Sequence, residues 1–157
     1  MNHPALSFQC QLENDWTDYN GHLRDAYYGL IFSYAVDSFM THIGIDENYR
    51  TATGGTLYVL EDHRFYLKEV RQGSGIRVKN RVLGHDWKRI HLLQEMFVPG
   101  DPEPVSRCES MQVHVVQDPE PSVQHFPVDI HNSLSQIIDP GAGCSRSIAI
   151  RSRSARN

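Results

Sequence analysis

The chain has 157 residues, 39% hydrophobic and 22% charged, which suits one domain of ordinary size whose core needs no disulfides. The formal net charge of −4 speaks against a nucleic-acid binder. No run approaches the ~18 apolar residues of a membrane-spanning helix. Arg146, Arg151, Arg153 and Arg156, with no acid between them, give residues 141–157 a charge of +4 and leave −8 on residues 1–140. Cys10, Cys108 and Cys144 form neither a disulfide framework nor a metal-ligand spacing. With no basic region or apolar run at the N-terminus, a reducing, cytoplasmic setting is expected.

Residues 5–16 alternate, with Leu6, Phe8, Cys10 and Leu12 against Ser7, Gln9, Gln11 and Glu13. That period of two predicts a half-buried strand. From about Arg24 to Gly44 the period becomes helical, and Ala26, Leu30, Phe32, Ala35, Val36, Phe39, Met40 and Ile43 recur at helical spacings. No proline interrupts it, and Gly44 is a natural stop. So apolar a helix is expected to be buried. Residues 45–55 read as a loop.

Strands are predicted over residues 56–68, 76–83, 89–98 and 105–116, with turns at Gln72-Gly73-Ser74-Gly75, Gly84-His85-Asp86 and Pro99-Gly100-Asp101-Pro102. Short turns between successive strands predict an antiparallel meander. Residues 127–138 predict a short helix with Val128, Leu134, Ile137 and Ile138 on one side. Beyond Pro140 the Gly/Ser/Arg composition reads as a disordered tail. The expected division is therefore a folded domain, 1–140, and a tail, 141–157. The fold class is α+β: a five-stranded antiparallel sheet wrapped around one long central helix. Its long edges predict pairing between subunits, as a homodimer or homotetramer.

The stretch from Asp15 to Asp25 concentrates carboxylates, an amide, an imidazole and two large aromatics at the strand-to-helix junction. Polar groups crowded there look like a reaction site. Taken alone, Asp18 reads equally as a turn or capping aspartate, and Asn20-Gly21 as an ordinary turn dipeptide. No metal-ligand set, Gly-rich phosphate loop or serine nucleophile elbow is visible, and no cofactor is implied.

Asp18-Tyr19-Asn20-Gly21-His22-Leu23, followed by a long helix, resembles the signature of the hotdog-fold acyl-CoA thioesterases of the 4-hydroxybenzoyl-CoA thioesterase type. The run from Phe65 to Gly73 is similar to the segment that leads into that family's third strand. The closer wording, Asp18 to Tyr28 with Leu83-Gly84-His85-Asp86-Trp87-Lys88-Arg89 later, looks like the betainyl-CoA thioesterases of carnitine degradation, some of which are fused to a carnitine dehydrogenase. The resemblance implies the hotdog fold and hydrolysis of a short acyl-CoA, betainyl-CoA to glycine betaine and free coenzyme A. It places Asp18 at the catalytic position, with Asn20 and His22 orienting the thioester or water. Arg24-Asp25 departs from the usual Asn-Asn, so no role passes from those asparagines.

Amides near Leu23 to Asp25, at the helix start, are expected oxyanion donors. Asp18 can serve as nucleophile or as base to a water. A trimethylammonium group suits aromatic faces beside a carboxylate, which nominates Trp16, Tyr19, Tyr27, Tyr28 and Asp25 as substrate-binding residues. Glu61-Asp62-His63 on the second strand is a lesser candidate, in which Glu61 and His63 share a face. Arg64, Arg77, Lys79, Arg81, Lys88 and Arg89 could meet coenzyme A phosphates, against the plainer reading of solvated strand charges. The competing functions are a thioesterase for another short, aromatic or fatty acyl-CoA, a hydratase of the same fold, and a non-catalytic acyl-CoA-binding module.

Overall fold

The computed structural model describes residues 6–139, so the expected tail at 141–157 lies outside the described residues. Strand β1 (Ser7–Gln11) is shorter than the alternation predicts. A single 3-10 turn, Asn14–Trp16, ends it and buries Trp16. The Thr17 hydroxyl donates to the Asn14 carbonyl, and Asn14 Oδ1 accepts from Gln72. Such local side-chain bonds compete with a strand ladder.

The long helix α1 (Asp25–Ile43) forms as expected and stops at Gly44, which is left-handed at φ 97° and donates to the Met40 and Thr41 carbonyls. Its fully buried stripe is Ile31, Ala35 and Phe39, at i, i+4 and i+8, flanked by Tyr28, Phe32 and Ile43. Helix α2 (Glu47–Thr53) occupies part of the expected loop. Asp46 caps it by accepting from the Tyr49 amide, and Gly54 closes it. It buries no residue, so the apolar pattern carries no trace of it.

The remaining elements are β2 (Gly55–Tyr66), β3 (Gly75–His85), β4 (Arg89–Phe97), β5 (Ser106–Val116), β6 (Ser122–Val123) and α3 (Val128–Gln136). The sheet order is β1-β3-β4-β5-β2, all antiparallel, with the two-residue β6 added on β5. The five long strands curl around α1, as the hotdog resemblance implies. The meander holds from β3 to β5. It fails for β2, which pairs with β5 and, among the described residues, leaves its other edge unpaired. Strand β3 runs on past Gly84 because a bulge absorbs the irregularity between Val82 and Gly84. In α3 the inward residues are Ile130 and Leu134, while Val128 and Ile138 are exposed, contrary to the expected face. No helix among the described residues is long and apolar enough to cross a membrane.

Two apolar clusters fill the space between α1 and the sheet. One joins Leu12, Trp16, Tyr28, Ile31 and Phe32 to Ile76, Val78, Met96 and Cys108. The other joins Phe39, Met40 and Ile43 to Val82, Ile90, Leu92 and α3. Between them run polar ties: Gln94 Nε2 donates to the Phe32 carbonyl (3.0 Å) and Asn80 Oδ1 (2.8 Å), and Asn80 Nδ2 donates to the Ala35 carbonyl (3.0 Å). Replacing Gln94 by Met strands a buried Asn80 acceptor and is expected to cost roughly 1–3 kcal/mol, measured by urea unfolding.

Candidate active site

The Asp18 turn is a small hairpin. The Asp18 amide donates to the His22 carbonyl (2.8 Å) and the Gly21 amide to the Asp18 carbonyl (3.0 Å). Gly21 sits at φ 75°, a region where a side chain is strained. The carboxylate closes the turn from inside, because Asp18 Oδ1 accepts from the amides of Asn20 (2.8 Å) and His22 (3.0 Å). Asp18 is therefore a turn aspartate in fact. Its second oxygen, Oδ2, has no bonding partner among the described residues.

The turn is stitched to residues 69–72, just beyond β2. Leu23 donates to the Val70 carbonyl (2.8 Å), Gln72 donates to the Gly21 carbonyl (2.9 Å), and His22 bridges Arg71. The two stretches that carry the family resemblance are thus neighbours in space. His22 Nε2 lies 3.3 Å from Glu69 Oε2, a partner that sequence reasoning did not single out. Only the closed turn reveals it, since the two residues are far apart in the chain.

The helix-start donors are fewer than expected. Leu23 is spent on Val70, and the Arg24 amide donates to the Trp16 carbonyl (3.0 Å). Among the described residues the amides of Asp25 and Ala26 remain without partners, at the positive end of the α1 dipole.

The four nominated aromatics and Tyr34 do not gather at one place. Trp16 is buried and stacks on Tyr27, with centroids 5.8 Å apart and planes at 15°, so this pair props the turn from below. Tyr28 is buried with its ring edge-on to Tyr66 at 5.1 Å. Tyr19 is 93% exposed at the turn's tip. Tyr34 lies a further stretch along α1, beside Phe8. Asn20 and Asp25 are exposed.

On β2, Glu61 and His63 face away from α1, opposite Met111 and Glu109. Asp62 and Arg64 face the helix and pair with each other. All four positions carry polar side chains, so alternation alone could not tell the inner face from the outer. The basic residues do not form one patch. Arg64 binds Asp62, Arg81 binds Glu95 and Asp139, Arg89 binds Asp86, and Arg77 and Lys79 lie over the Phe97 ring. Cys108 is no rival nucleophile, because burial pushes its thiol up to about 12 and keeps it protonated.

A model of the thioesterase-like superfamily matches residues 13–132. The chain belongs to that superfamily. It is 42% identical over 118 residues to a Pseudomonas aeruginosa betainyl-CoA thioesterase, covering 75% of this chain and 74% of that protein. It is 35% identical over 113 residues to an Agrobacterium fabrum L-carnitine dehydrogenase/betainyl-CoA thioesterase, of whose length it spans 23%. Among solved structures, a Pseudomonas putida protein assigned as a thioesterase superposes with TM-score 0.77 at 34% identity, over 96% of this chain and 100% of that one. A Staphylococcus aureus protein in complex with CoA superposes with TM-score 0.80 at 25% identity, over 93% and 95% of the two chains. Both halves of the thioesterase-like site, the Asp18 turn and residues 69–72, fall inside the matched span.

The amide of His22, joined by that of Asn20, holds the Asp18 carboxyl below the usual carboxylate range. The lowered value means that the ionised form is favoured in the fold. Its support of the turn is complete above the unfolded-state pKa of about 3.9 and is lost as pH falls through the folded value. Carbon-13 NMR of the Asp18 carboxyl is expected to show a midpoint below ~3.9, rising toward that value when the protein unfolds.

Proposed function

We propose that this chain is a cytoplasmic acyl-CoA thioesterase that cleaves betainyl-CoA to glycine betaine and free coenzyme A. The observation that carries the reading is the Asp18 carboxylate, with one oxygen fixed by the turn and, among the described residues, the other without a partner, at the same junction where the Asp25 and Ala26 amides are likewise unpaired. Hydrolysis of a thioester needs both parts: a base or nucleophile at the carbonyl carbon and donors for the oxygen that becomes negative.

Asp18 Oδ2 takes a proton from water as the water attacks, or attacks the carbonyl itself to form a mixed anhydride that water then cleaves. In both courses the carbon–sulfur bond breaks, the coenzyme A thiolate leaves and is protonated, and the acyl group departs as a carboxylate. His22, steadied by Glu69, orients the thioester or the water, and Asn20 lines the turn beside it. Tyr28 contributes its ring on the helix side. Tyr19 and Asp25, both facing solvent, meet a cationic substrate on approach. Trp16 and Tyr27 serve by keeping the turn and the helix start in place. The named betainyl-CoA thioesterases among the relatives support the acyl group, and the CoA complex of the Staphylococcus aureus neighbour supports the carrier.

Thiol release measured over a panel of betainyl, aliphatic and aromatic acyl-CoA thioesters is expected to be fastest for betainyl-CoA. Asp18→Ala is expected to lower kcat by about 10²–10⁴-fold, the usual weight of a general base. Full activity in that variant removes Asp18 from the chemistry.

We also propose that the enzyme is a dimer built through the free edge of β2. That edge belongs to a 12-residue strand on which Val59 and Leu60 are 56% and 59% exposed, with Tyr58, Phe65 and Tyr66 exposed beside them. A long strand edge flanked by exposed apolar side chains, with backbone groups unpaired among the described residues, is satisfied by a second copy running antiparallel. Light scattering is expected to give twice the chain mass, and Leu60→Glu is expected to shift the population toward monomer. A wild-type monomer at micromolar concentration rules the dimer out.

A further inference from the structure

On β5, Cys108 packs beneath α1 in the core with Ile31, Phe32 and Ala35, so Ser106, Ser110 and Gln112 face the helix as well. Across the ladder, Asp62 stands opposite Ser110, Arg64 opposite Cys108 and Tyr66 opposite Ser106. These three β2 side chains therefore share the face that looks at α1.

Two contacts tie this face to the start of the helix. The Tyr66 ring lies edge-on to Tyr28, in the first turn of α1. Arg64 reaches Gly29, the next residue, so closely that a Cβ there would sit 2.5 Å from its Nη1. Gly29 thus leaves a notch in the helix that the guanidinium fills. Pinned there, Arg64 donates to Asp62 Oδ2 through Nε (3.3 Å) and Nη2 (3.1 Å). Asp62 Oδ1 has no partner among the described residues. A second and separate observation lies alongside. Gln112 is only 1% exposed, its Nε2 donates to Ser110 Oγ (2.9 Å), and its Oε1 is a buried acceptor with no partner.

We infer that the α1-facing side of β2 is the subsite for a quaternary ammonium head on the acyl chain, held by Asp62 with the Gln112 carbonyl oxygen across the ladder. A trimethylammonium has no N–H to donate and presents only positively polarised methyl groups. It is satisfied by a carboxylate oxygen, a carbonyl oxygen or an aromatic face, and the first two lie together here, because Gln112 bonds the Ser110 that stands opposite Asp62. Arg64 is a positioning residue. It holds one Asp62 oxygen and leaves the other for the cation. A plain surface ion pair would require neither the glycine notch nor the orphaned amide oxygen beneath it. The assignment rests on the acyl-CoA reading and moves charge recognition from Asp25, at the helix start, to Asp62, inside the sheet's curl.

The test compares kcat/KM for trimethylammonio-acyl thioesters of coenzyme A, at acetyl and butanoyl length, with their neutral tert-butyl isosteres and a succinyl thioester. Asp62→Asn is expected to lower the cationic-to-neutral ratio about tenfold at one length or both, the size expected for losing a partly desolvated charge contact. Asp62→Glu, which keeps the charge, is expected to recover part of that ratio, and Gln112→Met to lower it by a smaller factor. An unchanged ratio in Asp62→Asn at both lengths overturns the assignment, as does a larger fall in Asp25→Asn. A wild-type preference for succinyl that Arg64→Gln abolishes also overturns it, by making Arg64 an anion receptor. If wild type releases coenzyme A from none of these thioesters, the thioesterase reading itself fails, and that result differs from all the others.

Discussion

The site depends on a few backbone hydrogen bonds that stitch the Asp18 turn to the segment just past β2. Leu23 to Val70 and Gln72 to Gly21 fix where the turn sits, and the Asp18 carboxylate fixes its shape from within. One side-chain oxygen does structural service, and the other is the one proposed to do chemistry. The bonds that hold Asp18 in place also favour its ionised form, because two amides point at it. The turn aspartate and the proposed reactive carboxylate are here the same residue.

That arrangement needs a firm floor. Trp16 stacked on Tyr27 joins the turn to the first turn of α1, and α1 is locked to the sheet by its apolar stripe. Gln94 and Asn80 bond helix carbonyls from below, which sets the helix against one register of β3 and β4. Buried amides of this kind are costly to leave unpaired, so the helix has little freedom to slide. The partnerless amides of Asp25 and Ala26 are thereby held at a fixed place relative to Asp18.

Strand β2 is the least satisfied element. It closes one side of the sheet with a free edge, exposes Val59, Leu60 and Tyr66, and carries an ion pair on the face toward α1. The proposed second copy lies along that edge, and the proposed acyl subsite along the inner face. The bulge at Leu60 separates residues 55–59 from 61–66 and resets which side chains face inward.

By itself the sequence determined the α+β class, the buried helix with its glycine stop, the five long strands and the polar turn with Asp18 at its centre. These follow from local periodicity and turn chemistry, which nearby residues dictate. Pairing was beyond it. That β2 joins β5 rather than β3, that the two motif segments meet, and that the Leu23 and Arg24 amides are already spent all depend on contacts between distant parts of the chain. Helix α2 escaped notice because it buries nothing and so leaves no apolar pattern. The gathering of Trp16, Tyr19, Tyr27 and Tyr28 near one another in the chain suggested a single aromatic site. The fold sends them to different sides of the turn, because successive residues of a helix point in different directions. Asp62, between Glu61 and His63, was passed over in their favour for the opposite reason. On a strand charged on both faces, only the neighbour across the ladder decides which carboxylate looks inward.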